Sequence, residues 1–161
     1  ILSEWVKGQV SGNQNYIYTQ TYIISDKQKS LEQIVYYDGL GRPVETVDKG
    51  VTPDSKDLVS LQEYDQFGRD SYSWLPAKSS GNGGYVDVAS VKSGARQLSG
   101  GDTRPYTMLV YETSPLKRVT EQYGPGQAWE DKPVQTVLKT NFLGSEQNYA
   151  GPLSVFLCTP R

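Results

Sequence analysis

One short motif occurs twice in the chain and constrains its fold more than any other feature. Residues 37–42 read Tyr-Asp-Gly-Leu-Gly-Arg and residues 64–69 read Tyr-Asp-Gln-Phe-Gly-Arg, so both copies follow the pattern Tyr-Asp-x-x-Gly-Arg. Residues 111–118 form a degenerate third copy, with Glu in place of Asp, two extra residues and no Gly. Such an internal repeat predicts one supersecondary unit that is used several times.

Each residue type in the motif suits a hairpin turn. A tyrosine ends the first strand and lays its ring on the sheet, and an aspartate accepts hydrogen bonds from the amides of the turn that it opens. A glycine provides a positive φ that would cost another residue about 1 kcal/mol or more. An arginine begins the return strand, close enough to pair with the aspartate. The residues predicted to build these turns are Tyr37, Asp38, Gly41, Arg42, Tyr64, Asp65, Gly68, Arg69, Tyr111, Glu112 and Arg118.

Strand patterns surround the three motifs. Paired β-type runs predict hairpins at about residues 31–48 and 58–75, and a degenerate third repeat at about residues 106–123. Alternating β-branched and aromatic residues at 14–24 predict one more strand. Together these patterns predict a single mainly β domain over residues 1–161, in which an antiparallel sheet is built from hairpins.

The segments between and after the hairpins give weaker patterns. Apolar residues at helical spacing predict one short helix near residues 87–98, ended by the Gly-Gly pair that follows it. Residues 77–84 are rich in Ser and Gly and predict a flexible loop. Residues 133–142 alternate as a strand does, whereas residues 151–161 show no pattern and predict a frayed end.

Composition and charge narrow the range of partners. The chain has 12 Tyr and 3 Trp, residues that suit half-buried sheet surfaces. Its net charge is -2 and its lysines and arginines never form a run, which predicts no nucleic-acid partner. No apolar stretch approaches the roughly 20 residues needed to cross a bilayer, so we expect no membrane insertion by this segment. Because the chain begins at Ile1 rather than Met, we predict that it is a segment of a longer protein.

The sequence offers little for catalysis or metal binding. It contains no His and a single Cys, Cys158, so acid–base work would fall on carboxylates, Lys or Tyr. The acids of the motif, Asp38, Asp65 and Glu112, are predicted to cap turns, and Glu63 is predicted to be a solvated strand residue. Without a Cys/His cluster there is no candidate zinc site. We therefore predict no catalytic residue, no metal site and no cofactor.

Binding is the alternative that the aromatic residues leave open. Exposed rings could stack on sugars or on a protein partner, whereas rings inside the sheet would form its core, and we expect the second arrangement. A flat row of exposed rings would favour carbohydrate binding. Two acids converging in a cleft would favour a glycoside hydrolase, the weakest of these hypotheses. The aromatic residues concerned are Tyr16, Tyr18, Tyr22, Tyr36, Trp74, Tyr85 and Trp129.

The repeat also resembles a known family. Tyr-Asp-x-x-Gly-Arg is similar to the signature of YD repeats in RHS proteins. Further segments follow in an order that resembles an uncharacterised domain found upstream of these repeats in RHS-type proteins of some Gram-negative bacteria, over roughly residues 13–141. These segments are Asn-Tyr-Ile at 15–17, residues 36–44, residues 63–76 ending in Trp-Leu-Pro, Pro-Tyr at 105–106, residues 111–119 containing Ser-Pro-Leu, and residues 125–129.

The resemblance implies a structural role. RHS proteins are large exported or surface proteins whose repeats wind into a β-sheet shell, and many carry a variable toxin at the far C-terminus. By this resemblance the chain is a non-enzymatic segment that forms or caps part of the shell, with the following repeats of the same polypeptide as its partners. The resemblance also implies export, to the cell surface or to the medium. Surface carbohydrate or another protein is the alternative partner.

Overall fold

The computed structural model describes residues 13–23, 30–80 and 82–138, together with the backbone of residues 156–158. This part of the chain is mainly β and contains one α-helix, α1 (Val88–Leu98), and one 3-10 helix (Gln127–Trp129). The strands are β1 (Asn15–Tyr22), β2 (Ser30–Tyr37), β3 (Pro43–Lys49), β4 (Asp57–Tyr64), β5 (Asp70–Trp74), β6 (Ala77–Ser79), β7 (Tyr106–Tyr111), β8 (Val119–Tyr123), β9 (Val134–Val137) and β10 (Phe156–Cys158).

The ten strands form one antiparallel sheet that follows the order of the chain. The exception is β6, which pairs with β4 and lies off the main path. One edge of β4 pairs with β3, and the other edge pairs first with β6 at residues 57–59 and then with β5 at residues 62–64. The predicted fold class, an antiparallel sheet of hairpins with one short helix, is confirmed.

The core lies on one face of this sheet, beneath α1 and the segment that leads into it. Alternate residues of β2, β3 and β4 point to this side, as the period of a strand requires. The buried strand residues include Ile34, Tyr36, Val47, Val59 and Leu61. The other face exposes apolar residues such as Ile17 and Leu31, so the sheet is buried mainly on its helix side.

Helix α1 lies where the sequence predicted a helix, near residues 87–98. The Asp87 side chain caps it by accepting hydrogen bonds from two amides of the first turn. Val91 and Ala95 are buried against the sheet. Gly94 is required for close packing, because a Cβ at this position would lie 3.0 Å from the Cβ of Ala77.

The predicted flexible loop at residues 77–84 is wrong over residues 77–79, which form a strand. Ala77 begins β6, which is hydrogen-bonded to β4, and the amides of Asn82 and Gly83 both donate to Asp57 Oδ2, at 3.0 and 2.8 Å. The Gly83 carbonyl accepts a hydrogen bond from the buried Tyr36 hydroxyl at 2.6 Å. A three-residue strand is too short to show an alternation of apolar and polar residues. The prediction of a loop therefore followed the Ser and Gly residues around it.

The C-terminal prediction is corrected in part. The alternation at residues 133–142 corresponds to β9, and residues 139–142 lie outside the described part of the chain. Residues 151–161 were expected to have no regular structure, yet Phe156–Cys158 forms β10 and pairs with β9. The strand has only three residues, too few to give a pattern in the sequence.

Candidate functional site

The first two Tyr-Asp-x-x-Gly-Arg motifs form closely similar turns. Asp38 Oδ1 accepts hydrogen bonds from the amides of Leu40 and Arg42 at 2.8 and 2.9 Å, while its Oδ2 accepts one from Arg42 Nε at 2.7 Å. In both turns the backbone closes the loop, because the amide of the aspartate donates to the carbonyl of the arginine at 2.9 Å. One carboxylate therefore binds both the turn amides and the arginine of the return strand.

The second turn repeats these contacts. Asp65 Oδ1 accepts from the amides of Phe67 and Arg69 at 2.8 and 3.0 Å, and Asp65 Oδ2 accepts from Arg69 Nε at 2.7 Å. The glycines that precede the two arginines, Gly41 and Gly68, have φ values of 76° and 74°. Both lie in the left-handed region, which a residue with a Cβ occupies only at a cost.

The third, degenerate turn reaches a similar result with different residues. Glu112 Oε1 accepts hydrogen bonds from Ser114 Oγ at 2.7 Å and from Arg118 Nε at 2.6 Å, and the Glu112 amide donates to the Arg118 carbonyl. Lys117 takes the place of the glycine and has a φ of 55°. The longer turn thus also has a positive φ just before its arginine, although a lysine adopts this conformation less easily than a glycine does.

The arginine of one turn contacts the tyrosine of the next. The Arg42 guanidinium lies 4.4 Å from the centre of the Tyr64 ring, a cation–π contact between separate hairpins. The Tyr64 hydroxyl donates to the Pro43 carbonyl at 2.7 Å. A Cβ on Gly68 would lie 2.7 Å from Arg42 Nη1, so the first hairpin also packs against the turn of the second.

The same contact joins the second hairpin to the third. The Arg69 guanidinium lies 4.5 Å from the centre of the Tyr111 ring and 5.0 Å from that of Phe67. Arg69 Nη1 also donates to the Glu112 carbonyl at 3.5 Å. We call this series of cross-hairpin contacts, Arg42 with Tyr64 and Arg69 with Tyr111, the Arg–Tyr ladder.

Strand register explains the ladder and where it stops. Glu45 on β3 pairs with Leu61 on β4, so three residues further towards the turns Arg42 lies opposite Tyr64. In the same way, Tyr72 on β5 pairs with Met108 on β7, and three residues further Arg69 lies opposite Tyr111. On the next pair of strands, Glu121 of β8 pairs with Gln135 of β9, and three residues further Arg118 lies opposite Leu138, which is not aromatic. At the other end, Tyr37 pairs with Asn15 rather than with an arginine. The two ladder steps therefore lie between terminal positions that lack one partner.

The arginines lower the pKa values of the turn acids. Hydrogen bonds from the backbone amide of Arg42, and then from its side chain, hold the pKa of Asp38 below its usual value. Burial raises the pKa of Asp65, but hydrogen bonds from Arg69 outweigh it and the net pKa is lowered. The Arg118 side chain lowers the pKa of Glu112 in the same way. A general acid needs a raised pKa, so these three groups are poorly suited to that role.

Two buried acids on the core side of the sheet were missed by sequence reasoning. Asp57 accepts hydrogen bonds from the amides of Gly50, Asn82 and Gly83 at 2.8 to 3.0 Å. Glu45 is 1% exposed; its Oε1 accepts from the Val86 amide at 2.9 Å, and its buried Oε2 has no hydrogen-bond partner. The sequence did contain a signal for their burial. Because side chains alternate between the two faces of a strand, each acid lies on the same face as a valine two residues away.

Burial raises the pKa of Glu45 to about 7, and the hydrogen bond from the Val86 amide offsets only part of this effect. The carboxyl is flanked by Tyr36 and Leu61, its cross-strand neighbours. Its charge in turn helps to raise the pKa of Tyr85. Glu45 is a single acid closed off from solvent, which is not the open pair of carboxyls that glycoside hydrolysis uses.

Glu63 is not the solvated strand residue that the sequence predicted. It is half-buried, and its two oxygens accept hydrogen bonds at 2.7 Å from Trp74 Nε1 and from Lys92 Nζ. Lys92 lies on α1, so this ion pair connects the helix to β4. The prediction failed because the helix that supplies Lys92 is distant from Glu63 in the sequence.

The aromatic rings do not form one exposed row. Tyr36 and Trp74 belong to the buried core, and Tyr16, Tyr18 and Tyr85 pack against it. The Tyr36 ring contacts both Tyr16 and Tyr85, with centroid distances of 6.0 and 5.4 Å. The other two rings considered, Tyr22 on β1 and Trp129 in the 3-10 helix, are exposed in separate parts of the structure.

The described part of the chain has neither a cluster of metal-binding side chains nor a helix that could span a membrane. Residues 13–23, 30–80 and 82–138 contain no group of three or more Cys, Asp or Glu side chains placed to hold a metal ion. Within the same ranges, no helix has both the length and the apolar character needed to cross a bilayer. The side chain of Cys158 lies outside what the structure describes.

Comparison with known proteins identifies a family but not an activity. No curated protein and no solved structure matches the chain. One family model matches residues 9–143, which include every turn and contact of the Arg–Tyr ladder. The chain therefore belongs to the family described as "Domain of unknown function (DUF6443)".

Proposed function

We propose that this chain is a non-enzymatic structural segment of a large RHS-type surface or secreted protein, in which it forms or caps part of a β-sheet shell. The observation that carries the proposal is the Arg–Tyr ladder. Its arginines each bind an acid of their own turn and a ring of the next hairpin. The repeated residues are thus used to join hairpins to one another.

The ladder is the kind of contact that a repeat architecture needs. Repeat proteins gain stability from interfaces between neighbouring units, and their terminal repeats differ from the internal ones. Here Asn15 and Leu138 occupy the positions where an arginine and a tyrosine would extend the ladder. These replacements favour a capping role, in which a short run of hairpins ends one part of a larger sheet.

The edge strand β1 supports assembly with a further strand. It is the first strand of the sheet order, and among the described residues it pairs only with β2. Its sequence, Asn-Tyr-Ile-Tyr-Thr-Gln-Thr-Tyr, contains no charge and no proline. Natural edge strands usually carry such features to prevent unwanted pairing. We propose that β1 is covered in the complete protein by another strand of the shell.

The chemical alternatives have weaker support. The turn acids are each bound to an arginine of their own turn, and the acids Asp57 and Glu45 are buried and closed off from solvent. Carbohydrate binding would need accessible rings, and of the seven considered only Tyr22 and Trp129 are exposed. Because these two lie apart, they form no stacking platform, and a structural role is the better account.

Hydrogen exchange tests the proposal. The amides of β1 would be followed in the isolated chain and in the full-length polypeptide that contains it. We expect alternate β1 amides, those on the outer edge, to exchange at least ten times more slowly in the full-length protein. Equal exchange in the two forms would contradict the shell role. Saturable sugar binding that is lost in Trp129→Ala would replace it with the carbohydrate-binding function.

A further inference from the structure

The Glu45 carboxyl has one oxygen that is bound and one that has no partner. Its Oε1 accepts a hydrogen bond from the Val86 amide at 2.9 Å, whereas its buried Oε2 has no partner among the described residues. The residue is only 1% exposed, so bulk solvent does not reach this oxygen. A buried carboxylate is costly unless it is paired and hydrogen-bonded. Ionisation of Glu45 therefore favours any arrangement that brings Oε2 into contact with solvent.

The cations on the elements around Glu45 are engaged elsewhere. On the same strand, Lys49 pairs with Glu32 of β2 at 2.9 Å. On α1, Lys92 pairs with Glu63 of β4 at 2.7 Å. Further titratable and charged groups on these elements include Tyr36 on β2, Asp57 on β4, Tyr85 and Asp87 before α1, and the exposed Arg96 on α1, which lies beside the Trp74 ring. Ionisation of Glu45 therefore adds a negative charge that no nearby cation offsets in the described part of the chain.

The segment that contacts Glu45 is fixed at both ends and belongs to no helix or strand. Residues 84–86 lie between the Gly83 amide, which Asp57 Oδ2 binds at 2.8 Å, and Asp87, whose side chain caps α1. We call residues 84–86 the latch. Strand β3, by contrast, is hydrogen-bonded to β2 on one side and to β4 on the other. Displacing the latch therefore disrupts less structure than displacing the strand that carries Glu45.

The contacts of the latch with the sheet are partly apolar and partly polar. The Tyr85 ring lies edge-on to the Tyr36 ring, with centroids 5.4 Å apart, and both Tyr85 and Val86 pack against the core. Burial of these side chains favours the closed latch. A charge on the Glu45 carboxyl, which the Val86 amide contacts directly, opposes it. The balance between closed and open latch therefore depends on the protonation of one carboxyl.

We propose that the latch is a pH-sensitive device, closed over a protonated Glu45 and open when Glu45 is ionised. Opening withdraws the Val86 amide and exposes Oε2 to solvent, which accepts the proton. The hydrogen bonds to Asp57 and the Asp87 cap stay in place, so the movement is limited to the residues between them. The latch contributes nothing to the Arg–Tyr ladder or to the β1 edge, and it adds to the chain a regulated element that is independent of the proposed structural role.

Acid should close the latch and neutral pH should open it. Burial raises the pKa of Glu45 to about 7 in the closed form, although the Val86 amide favours the ionised carboxylate. In the open form the carboxyl is solvated and should have its ordinary pKa of 4.5. The ratio of open to closed latch should therefore rise by about 50-fold between pH 5 and pH 7.5.

Native-state hydrogen exchange of the Val86 amide, measured at pH 5 and pH 7.5 over a urea series, tests the proposal. Division by the exchange rates of an unstructured peptide of the same sequence removes the direct effect of pH on the exchange chemistry. The protection of Val86 should fall by about 50-fold at pH 7.5. It should depend little on urea, because the opening exposes little surface. The Gly83 amide, held by Asp57, is the internal control and should stay about ten times more protected than Val86 or better.

Two variants assign the response to one carboxyl. In Glu45→Gln the protection of Val86 should change less than about threefold between the two pH values, whereas Glu63→Gln should keep the full response. An equal response in Glu45→Gln would overturn the proposal. The unmodified chain alone can also overturn it: if Val86 exchanges with the same urea dependence as the β7 amides, the latch does not open separately. The proposal also fails if the ¹³C NMR resonance of the Glu45 carboxyl titrates at the ordinary pKa of a glutamate.

Discussion

The acids at the turns and the buried acids on the core side of the sheet are held in opposite ways. Asp38 and Asp65 lie at accessible turns, and each pairs with an arginine. Asp57 and Glu45 are almost fully buried, and they accept hydrogen bonds from backbone amides. Exposed ion pairs contribute little stability, whereas buried groups are costly to leave unsatisfied. The turn acids thus organise the hairpins, and the buried acids hold the segment that leads into α1 against the sheet.

The largest expected effect is that of Asp57→Ala. The substitution leaves the amides of Gly50, Asn82 and Gly83 without their acceptor. We expect it to lower the free energy of unfolding by about 3 to 5 kcal/mol, measured by urea denaturation. The control is Asp54→Ala, which removes an exposed acid paired with Lys56 and Lys78 and should cost less than about 1 kcal/mol. Similar losses of unfolding free energy in the two variants would show that the buried acid contributes no more to stability than the surface acid.

The next effect is a pH dependence due to Glu45. Its pKa is about 7 in the folded protein, against an ordinary value of 4.5 for a glutamate, so the folded state binds the proton more tightly. The stability due to this group is therefore complete below pH 4.5 and is lost as the pH rises to about 7. The change should be of the order of 3 kcal/mol.

Urea denaturation at a series of pH values tests the effect of Glu45. The unmodified chain should become less stable between pH 4.5 and 7.5, and Glu45→Gln should flatten this part of the profile. Glu63→Gln is a control, because Glu63 is paired with Lys92 rather than left without a partner. An unchanged profile in Glu45→Gln would show that another group causes the dependence.

A smaller effect distinguishes two glycines that have almost the same φ. Gly41→Ala should cost about 1 kcal/mol, because only the positive φ opposes it and no atom lies within 4 Å of the added Cβ. Gly68→Ala should cost more, because its Cβ would also displace the Arg42 guanidinium from the ladder. Thermal denaturation of the two variants measures the difference. A larger loss at Gly41 would show that Arg42 moves aside without cost.

The smallest effect compares a complete ladder step with an incomplete one. A double-mutant cycle of Arg42→Ala and Tyr64→Leu should give a coupling energy of about 0.5 to 1 kcal/mol. The same cycle with Arg118→Ala and Leu138→Ala should give a value near zero, since no ring lies opposite Arg118. Urea denaturation provides all four free energies of each cycle. Equal couplings would mean that the tyrosine ring adds nothing to the contact.

Local structure could be predicted from the sequence because it depends on neighbouring residues. The turn chemistry of Asp38 and Gly41 and the helical spacing around Val91 are both local patterns. The Arg–Tyr ladder could not be predicted, because Arg42 and Tyr64 meet only through the register of β3 with β4. Glu45 shows the same limit: its alternation with Val47 was visible, but the Val86 amide that contacts its carboxyl belongs to a segment that is distant in the sequence.

The way in which β5 and β6 share one edge of β4 has a mechanical consequence. After Trp74 the chain leaves the main strand order of the sheet, pairs β6 with β4, forms α1, and returns as β7 beside β5. A force pulling across the strands would therefore pass from β4 through β5 to β7 and would bypass the helix. The layer that contains α1 could lift off under tension while the chain of paired strands stayed continuous. Resistance to stretching and burial of the core thus depend on different segments of the molecule.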